Sequence, residues 1–249
     1  MANLRDLLYG YEQGEVIEPG EFTVLNTNYT TVGNGGCCYL WTVPSGAKRA
    51  VFEMWSGGGS GGGGCCCMQG GGAGSGGYAI KAMDVFPGQD IQICAAGSGC
   101  CGGYYTAIQG CPTWVCSLGG GGSTTWLSCI TGGYTNSRCV TCQYGANCYT
   151  CCSMCYCCGG ISNCADFFSP GTTGNGHSTQ FCHGEYHQYA ANAPMMPGPR
   201  IAPGGCCGIG GGNAWGMFPG GGGWSAAVYG GNCCCGGPGA GGMVYVLYY

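Results

Sequence analysis

Hydrophobic and polar residues alternate along this chain in short runs separated by glycine, and the runs fit strands better than helices. In residues 50–55, Phe52 and Met54 alternate with Val51, Glu53 and Trp55. In residues 90–95, Ile91 and Ile93 take one phase while Asp90, Gln92 and Cys94 take the other. A period of two sends successive side chains to opposite sides of a sheet, so both runs predict half-buried strands. Further strands are predicted at residues 22–32, 39–43, 78–85, 224–229 and 243–249, with turns at Pro44-Ser45-Gly46 and Pro87-Gly88. Helical spacing occurs in residues 3–13, where Leu4, Leu7, Leu8 and Tyr11 predict a short amphipathic helix limited by Gly10 and Gly14.

Composition changes this picture in one respect. The 249 residues include 58 glycines and 26 cysteines, and only 6% are charged, far from an average globular domain. Glycine-rich sequence is usually disordered, but disordered chains are poor in aromatics, and this one carries 17 Tyr, 6 Trp and 7 Phe between its glycine blocks. The expected fold is therefore all-β: an antiparallel framework with packed glycine-rich segments, polyglycine- or polyproline-II-like, and a cysteine-rich loop insertion. Three parts are expected. Residues 1–21 form an N-terminal attachment segment, 22–101 and 201–249 together make the glycine-rich β framework, and 102–200 form a cysteine- and tyrosine-rich insertion. Nine cysteines lie between Cys139 and Cys164, and Pro194, Pro197, Pro199 and Pro203 close the insertion as a stiff connection.

Charge excludes some partners. The net charge of −4 and six scattered basic residues give no electrostatic footprint for nucleic acid. Five of the ten acids (Asp6, Glu12, Glu15, Glu18, Glu21) lie in the first 21 residues, which sets that segment apart. No apolar run is long enough to cross a membrane, and the start lacks the basic-then-apolar layout of a signal peptide. So many cysteines nevertheless suit an oxidising place. Synthesis in a cytoplasm followed by service outside the cell, as on a virus particle released by lysis, reconciles the two.

The cysteines are the strongest chemical signal. Cys37, Cys38, Cys65, Cys66, Cys67, Cys94, Cys100, Cys101, Cys206, Cys207, Cys233, Cys234 and Cys235 are disulfide candidates. Adjacent ones in extended backbone point to opposite faces and must find separate partners, and connectivity is not readable from spacing. The rival chemistry is a structural zinc or other thiolate-bound metal. Cys139, Cys142, Cys148 and Cys151 have two-residue spacings suited to a four-thiolate site, and His183 and His187 lie nearby in sequence. No cofactor is expected otherwise. Catalytic motifs fail: Gly58-Gly-Ser-Gly-Gly62 matches a nucleophile elbow only because it sits in a glycine block, and no lysine follows a glycine as a phosphate loop requires. An enzyme is not expected.

Leu40-Trp-Thr-Val-Pro-Ser-Gly46, Val51-Phe-Glu-Met-Trp55, Gly76-Gly-Tyr-Ala-Ile-Lys81 and Val85-Phe-Pro-Gly88, with the glycine block between, resemble the glycine-rich domain of phage tail-fibre and adhesin-like virion proteins. Gly220-Gly-Gly-Gly-Trp224 and residues 236–249 look like that domain's closing strands. The resemblance covers residues 22–101 and 201–249. This chain departs from the family in its cysteine content. What the resemblance implies is a virion exterior protein, on a tail or appendage, whose strands support glycine segments packed side by side. Its partners would be other virion subunits through the N-terminal segment, a host surface glycan, and further copies of itself, with a trimer among the forms. Tyr104, Tyr105, Trp114, Trp126, Tyr134, Tyr186 and Tyr189 are the candidate binding surface, flat and uncharged. The alternatives are an extracellular cross-linked shell, matrix or filament protein, and a cysteine-rich metal-binding protein.

Overall fold

A computed structural model describes residues 19–25, 37–61, 64–65, 73–99, 109–119, 124–133, 143–144, 147–148, 160, 162–171, 187–188, 202–203, 216, 218–223, 233–234 and 237–249. The strands in chain order are β1 (Gly20–Leu25), β2 (Cys37–Thr42), β3 (Arg49–Trp55), β4 (Gly64–Cys65), β5 (Tyr78–Asp84), β6 (Asp90–Ala95), β7 (Thr113–Leu118) and β8 (Thr124–Ile130). They continue with β9 (Gln143–Tyr144), β10 (Asn147–Cys148), β11 (Ser162–Asn163), β12 (Phe167–Ser169), β13 (His187–Gln188), β14 (Ala202–Pro203), β15 (Cys233–Cys234) and β16 (Met243–Tyr248). The fold is all-β, with no helix among the described residues; the helix predicted at 3–13 and the strand at 224–229 lie outside them.

Two five-stranded antiparallel sheets carry the structure, one ordered β1-β16-β3-β5-β12 and the other β11-β8-β7-β6-β2. Their facing sides follow from the period-two pattern. Phe52 and Met54 of β3, Val244 and Val246 of β16, Ile91 and Ile93 of β6, and Val115 of β7 are fully buried in one shared core, closed by Val24, Trp41 and Ile130. Burying an aliphatic or aromatic side chain of this size contributes about 1.5–3 kcal/mol. The last strand, β16, lies between β1 and β3, so residues near both ends of the chain share one sheet.

The predicted insertion needs correction. Residues 113–130, assigned to a loop-like region, supply β7 and β8 at the centre of the second sheet, and β11 and β12 extend both sheets. The framework therefore does not stop at residue 101.

The sandwich has two unlike ends. At one lie Gly20, the turn at Pro44–Ala47 with Gly46 at φ 97°, the turn at Phe86–Gln89 with Gly88 at φ 77°, and Tyr249, whose carbonyl oxygen accepts the amides of Lys48 and Arg49 at 2.9 Å each. At the other, the strands run into buried glycine segments. Gly57, Gly58 and Gly59 donate to Cys111, Ala240 and Gly74, while their carbonyl oxygens accept from Gly133, Gly99 and Gly223. One segment thus binds six others, where a strand binds two.

Registers within this block advance in threes. Gly58 donates to Ala240 (2.8 Å) and Gly61 to Gly237 (2.9 Å); Ser56 donates to Gly77 (3.1 Å) and Gly59 to Gly74 (3.1 Å). Ala73 donates to Gly223 and Gly76 to Gly220, and Gly239 donates to Gly99 and Gly242 to Ala96. Three residues per turn is the period of the polyproline II helix, which has no internal hydrogen bonds and leaves every N–H for a neighbour. Close packing forbids side chains: a Cβ on Gly58 would run into the carbonyl of Gly221, and one on Gly239 into that of Gly58. Five stretches of chain (62–72, 100–108, 134–159, 172–215 and 224–236) begin and end at this glycine block.

Candidate binding surface

The outward face of the second sheet gathers two of the sequence-derived binding candidates, Trp114 and Trp126. On β7 the alternation sends Thr113 and Val115 inward and Trp114, Cys116 and Leu118 outward. On β8 a bulge changes the phase. Val115 pairs with Ser128 but Cys116 pairs with Trp126, so Leu127 is an extra residue. Leu127 packs against the core, and Trp126 is turned to the outward face; re-aiming a side chain is a common use of a bulge. Without that extra residue the phase would carry Trp126 inward.

Four side chains then form a two-by-two block. Trp114 lies opposite Cys129, and Cys116 lies opposite Trp126. The two indoles meet across the diagonal with centroids 5.1 Å apart and planes at 71°. This edge-to-face arrangement is favourable by about 0.5–1.5 kcal/mol beyond burial. Trp126 remains 58% exposed. Cys116 is nearly inaccessible although its strand position faces outward, and Cys129 is half-buried. Burial pushes both thiols above the ordinary cysteine value, which disfavours the reactive thiolate.

The surface continues across β6 and β2. Cys94 lies opposite Trp114 on one side and Cys38 on the other, and Cys38 and Cys94 are joined by a disulfide. Leu40, 53% exposed, lies opposite Gln92. Thr42 donates to Asp90 at 2.6 Å. Asp90 is the charged residue at the far corner of an otherwise neutral face built on four paired strands.

Among the sequence-derived candidates, the structure brings Trp114 and Trp126 together and joins Cys38 to Cys94. Cys37, also a disulfide candidate, is an exposed free thiol; its neighbour Cys38 takes the opposite face of β2, toward Cys94. Cys65 and Cys233 are backbone partners across β4 and β15, Cys234 pairs with Gly64, Cys148 pairs with Gln143, and His187 pairs with Pro203. Tyr104, Tyr105, Tyr134, Tyr186, Tyr189, Cys66, Cys67, Cys100, Cys101, Cys139, Cys142, Cys151, His183, Cys206, Cys207 and Cys235 lie outside the described residues. Among the described residues no three His, Cys, Asp or Glu side chains converge as metal ligands.

A second aromatic cluster, on the outward face of the first sheet, was not singled out from sequence. Trp55 and Tyr78 lie 4.8 Å apart, and Phe167 packs 6.1 Å from Tyr78. The Tyr78 hydroxyl donates to Glu53 at 3.1 Å, and that of Tyr245 donates to Glu21. Burial, then the Glu53 charge and this hydrogen bond, push the Tyr78 hydroxyl up to about 12. The signal was present in the outward phase of β3, where Val51, Glu53 and Trp55 alternate with the core residues. Trp55 and Tyr78 are buried, so this cluster presents less surface than the Trp114–Trp126 pair. No protein-family model matches the chain, and no curated protein matches it in sequence.

Proposed function

We propose that the protein is a structural, adhesive subunit of a particle exterior, a virion fibre, adhesin or appendage protein, and that it binds a neutral host-surface glycan without doing chemistry on it. The observation that carries this reading is the Trp114–Trp126 pair, with Trp126 58% exposed, on a nearly uncharged sheet face. Aromatic faces stack on the apolar faces of sugar rings, while Gln92 and Thr42 supply neutral hydrogen-bonding groups beside them. Residues 1–21 attach the subunit to its particle. The fold is consistent with that role, since β1 enters the sandwich at the end remote from the glycine block.

The test is binding of purified full-length protein to host cells and to a glycan array, from low to about 1 M salt, where the screening length falls from about 10 to about 3 Å. Binding should change little with salt, and Trp126→Ala should weaken it at least tenfold with the melting temperature unchanged. Salt-sensitive binding that Trp126→Ala leaves intact overturns the proposal.

A further inference from the structure

One row of side-chain positions crosses four strands on the outward face of the second sheet. Leu40 of β2 lies opposite Gln92 of β6, Gln92 opposite Cys116 of β7, and Cys116 opposite Trp126 of β8. The two ends of the row are exposed and its middle is not. Leu40 is 53% and Trp126 58% exposed, whereas Cys116 is buried and Gln92 half-buried. A short thiol between a glutamine and an indole leaves a dip flanked by two apolar side chains. Three strand spacings of ~4.8 Å put the backbone of Leu40 about 14 Å from that of Trp126. A single sugar ring stacked on Trp126 does not reach Leu40, but a linear chain of about three rings covers that span.

The neighbouring row supplies the polar half of the arrangement. Asp90 shares the outward phase of β6 with Gln92, and its Oδ1 accepts the hydroxyl of Thr42 at 2.6 Å. That hydrogen bond orients the carboxylate. An ionised carboxylate donates nothing and has about four acceptor positions, so most of its capacity is left for hydroxyls of a ligand. Hydrogen bonds to a charged acceptor are about twice as strong as those between neutral groups. Gln92, beside it, offers both a donor and an acceptor. Strands β2, β6, β7 and β8 contain no lysine or arginine, so an acidic ligand on this face meets Asp90 with no cation from these strands to offset it.

We infer that a neutral, unbranched oligosaccharide lies across these strands, with one ring on Trp126, a ring at the far end against Leu40, and the hydroxyls between them held by Gln92 and Asp90. Leu40 sets the length of chain that the face recognises. Asp90 sets its chemistry, accepting from hydroxyls and repelling uronic, sialylated and other acidic sugars. The inference rests on the glycan-binding reading of the Trp114–Trp126 face and adds to it the class of ligand: linear, uncharged and longer than a disaccharide.

The experiment titrates the full-length protein calorimetrically with neutral linear glucan, mannan and galactan oligomers of increasing length, and with uronate oligomers of matched length. Affinity for the neutral series that binds should rise until the chain has about three rings and then level off, as the span between Leu40 and Trp126 requires. Leu40→Ala should lower affinity for the longer oligomers by about fivefold, the part of a leucine's burial that a half-exposed side chain still has to give, and leave the shortest ligand unaffected. Asp90→Asn, which keeps the shape, should weaken the neutral oligomers and admit the uronates. Thermal melts of both variants should match the native protein. Binding that Trp126→Ala abolishes, but that neither grows with chain length nor responds to Leu40→Ala, overturns this inference and leaves the adhesive reading standing. Uronate oligomers that bind the native protein as tightly as neutral ones overturn the role of Asp90. Failure of every oligomer to bind overturns both the inference and the reading beneath it.

Discussion

The fully buried hydroxyl of Thr113 donates to the carbonyl oxygen of Trp55 at 2.8 Å, and the same oxygen atom of Thr113 accepts the amide of Ala96 at 3.0 Å. Trp55 ends β3 in one sheet, and Thr113 begins β7 in the other. One side chain thus ties the two sheets together where both turn into the glycine block. Ser56 plays a parallel part, donating to Thr131 at 2.7 Å and accepting the amide of Gly77 at 2.8 Å.

Thr113→Val keeps the shape and removes both hydrogen bonds, leaving a buried carbonyl and a buried amide without this partner. Each unsatisfied group costs about 1–3 kcal/mol, so denaturant unfolding should show a loss of roughly 2–6 kcal/mol. Thr113→Ser, which keeps the hydroxyl, should lose much less. Equal losses from the two variants would mean that packing of the methyl group, not the hydrogen bonds, matters here.

Gly58→Ala should prevent folding or destabilise by more than about 4 kcal/mol, the range reached when a rigid core must be pushed apart, because the neighbour in its way is backbone. Gly88→Ala is the control. It sits in an exposed turn at φ 77° with nothing within 4 Å of the added carbon, so it should cost only the left-handed penalty of about 1–2 kcal/mol. Circular dichroism and thermal melts of the two purified variants make the comparison.

Removing the Cys38–Cys94 cross-link with a double serine variant should lower stability by about 2–4 kcal/mol, given the model-dependent loop-closure term. In the native protein, Cys116 and Cys129 should resist alkylation by iodoacetamide while Cys37 and Cys164 react, because burial both shields the first two and holds them as thiols. Rapid labelling of Cys116 would show that the tryptophan pair does not protect it.

Tyr78 gives a pH dependence with a definite sign. Its folded value is raised from 10.0 to about 12, so the fold favours the neutral phenol. The associated stability is present below pH 10 and is lost as pH rises toward about 12. Phenolate absorbance should show a late-titrating component, to which Tyr245, raised by its hydrogen bond to Glu21, also contributes, and Tyr78→Phe should reduce that component. A titration unchanged by the substitution would assign it elsewhere.

The all-β class was legible from the alternation in β3 and β6, where Phe52, Met54, Ile91 and Ile93 face the core as their phase requires. β7 and β8 were not, for a physical reason. Thr113 and Ser128 are polar yet inward, Cys116 is outward yet covered, and the bulge at Leu127 shifts the phase midway, so neither strand shows clean alternation. Trp114 and Trp126 were named from composition, but their contact depends on that bulge. The Cys38–Cys94 pair likewise required the register of β2 against β6. The glycine segments are the extreme case: with no side chains, nothing in residues 57–59 specifies which six neighbours they bind.

That block of interlocked backbone has a consequence for how the protein can vary. Five excursions leave it and return to it at anchored points. Lengthening an excursion costs closure entropy, about 0.6 kcal/mol for each doubling, but two of them are tied to each other, since Gly64 and Cys65 of 62–72 pair with Cys234 and Cys233 of 224–236. The glycine residues are thus a chassis whose backbone contacts leave no room for change, and any exchange of 62–72 or 224–236 has to keep the pairing that joins the two.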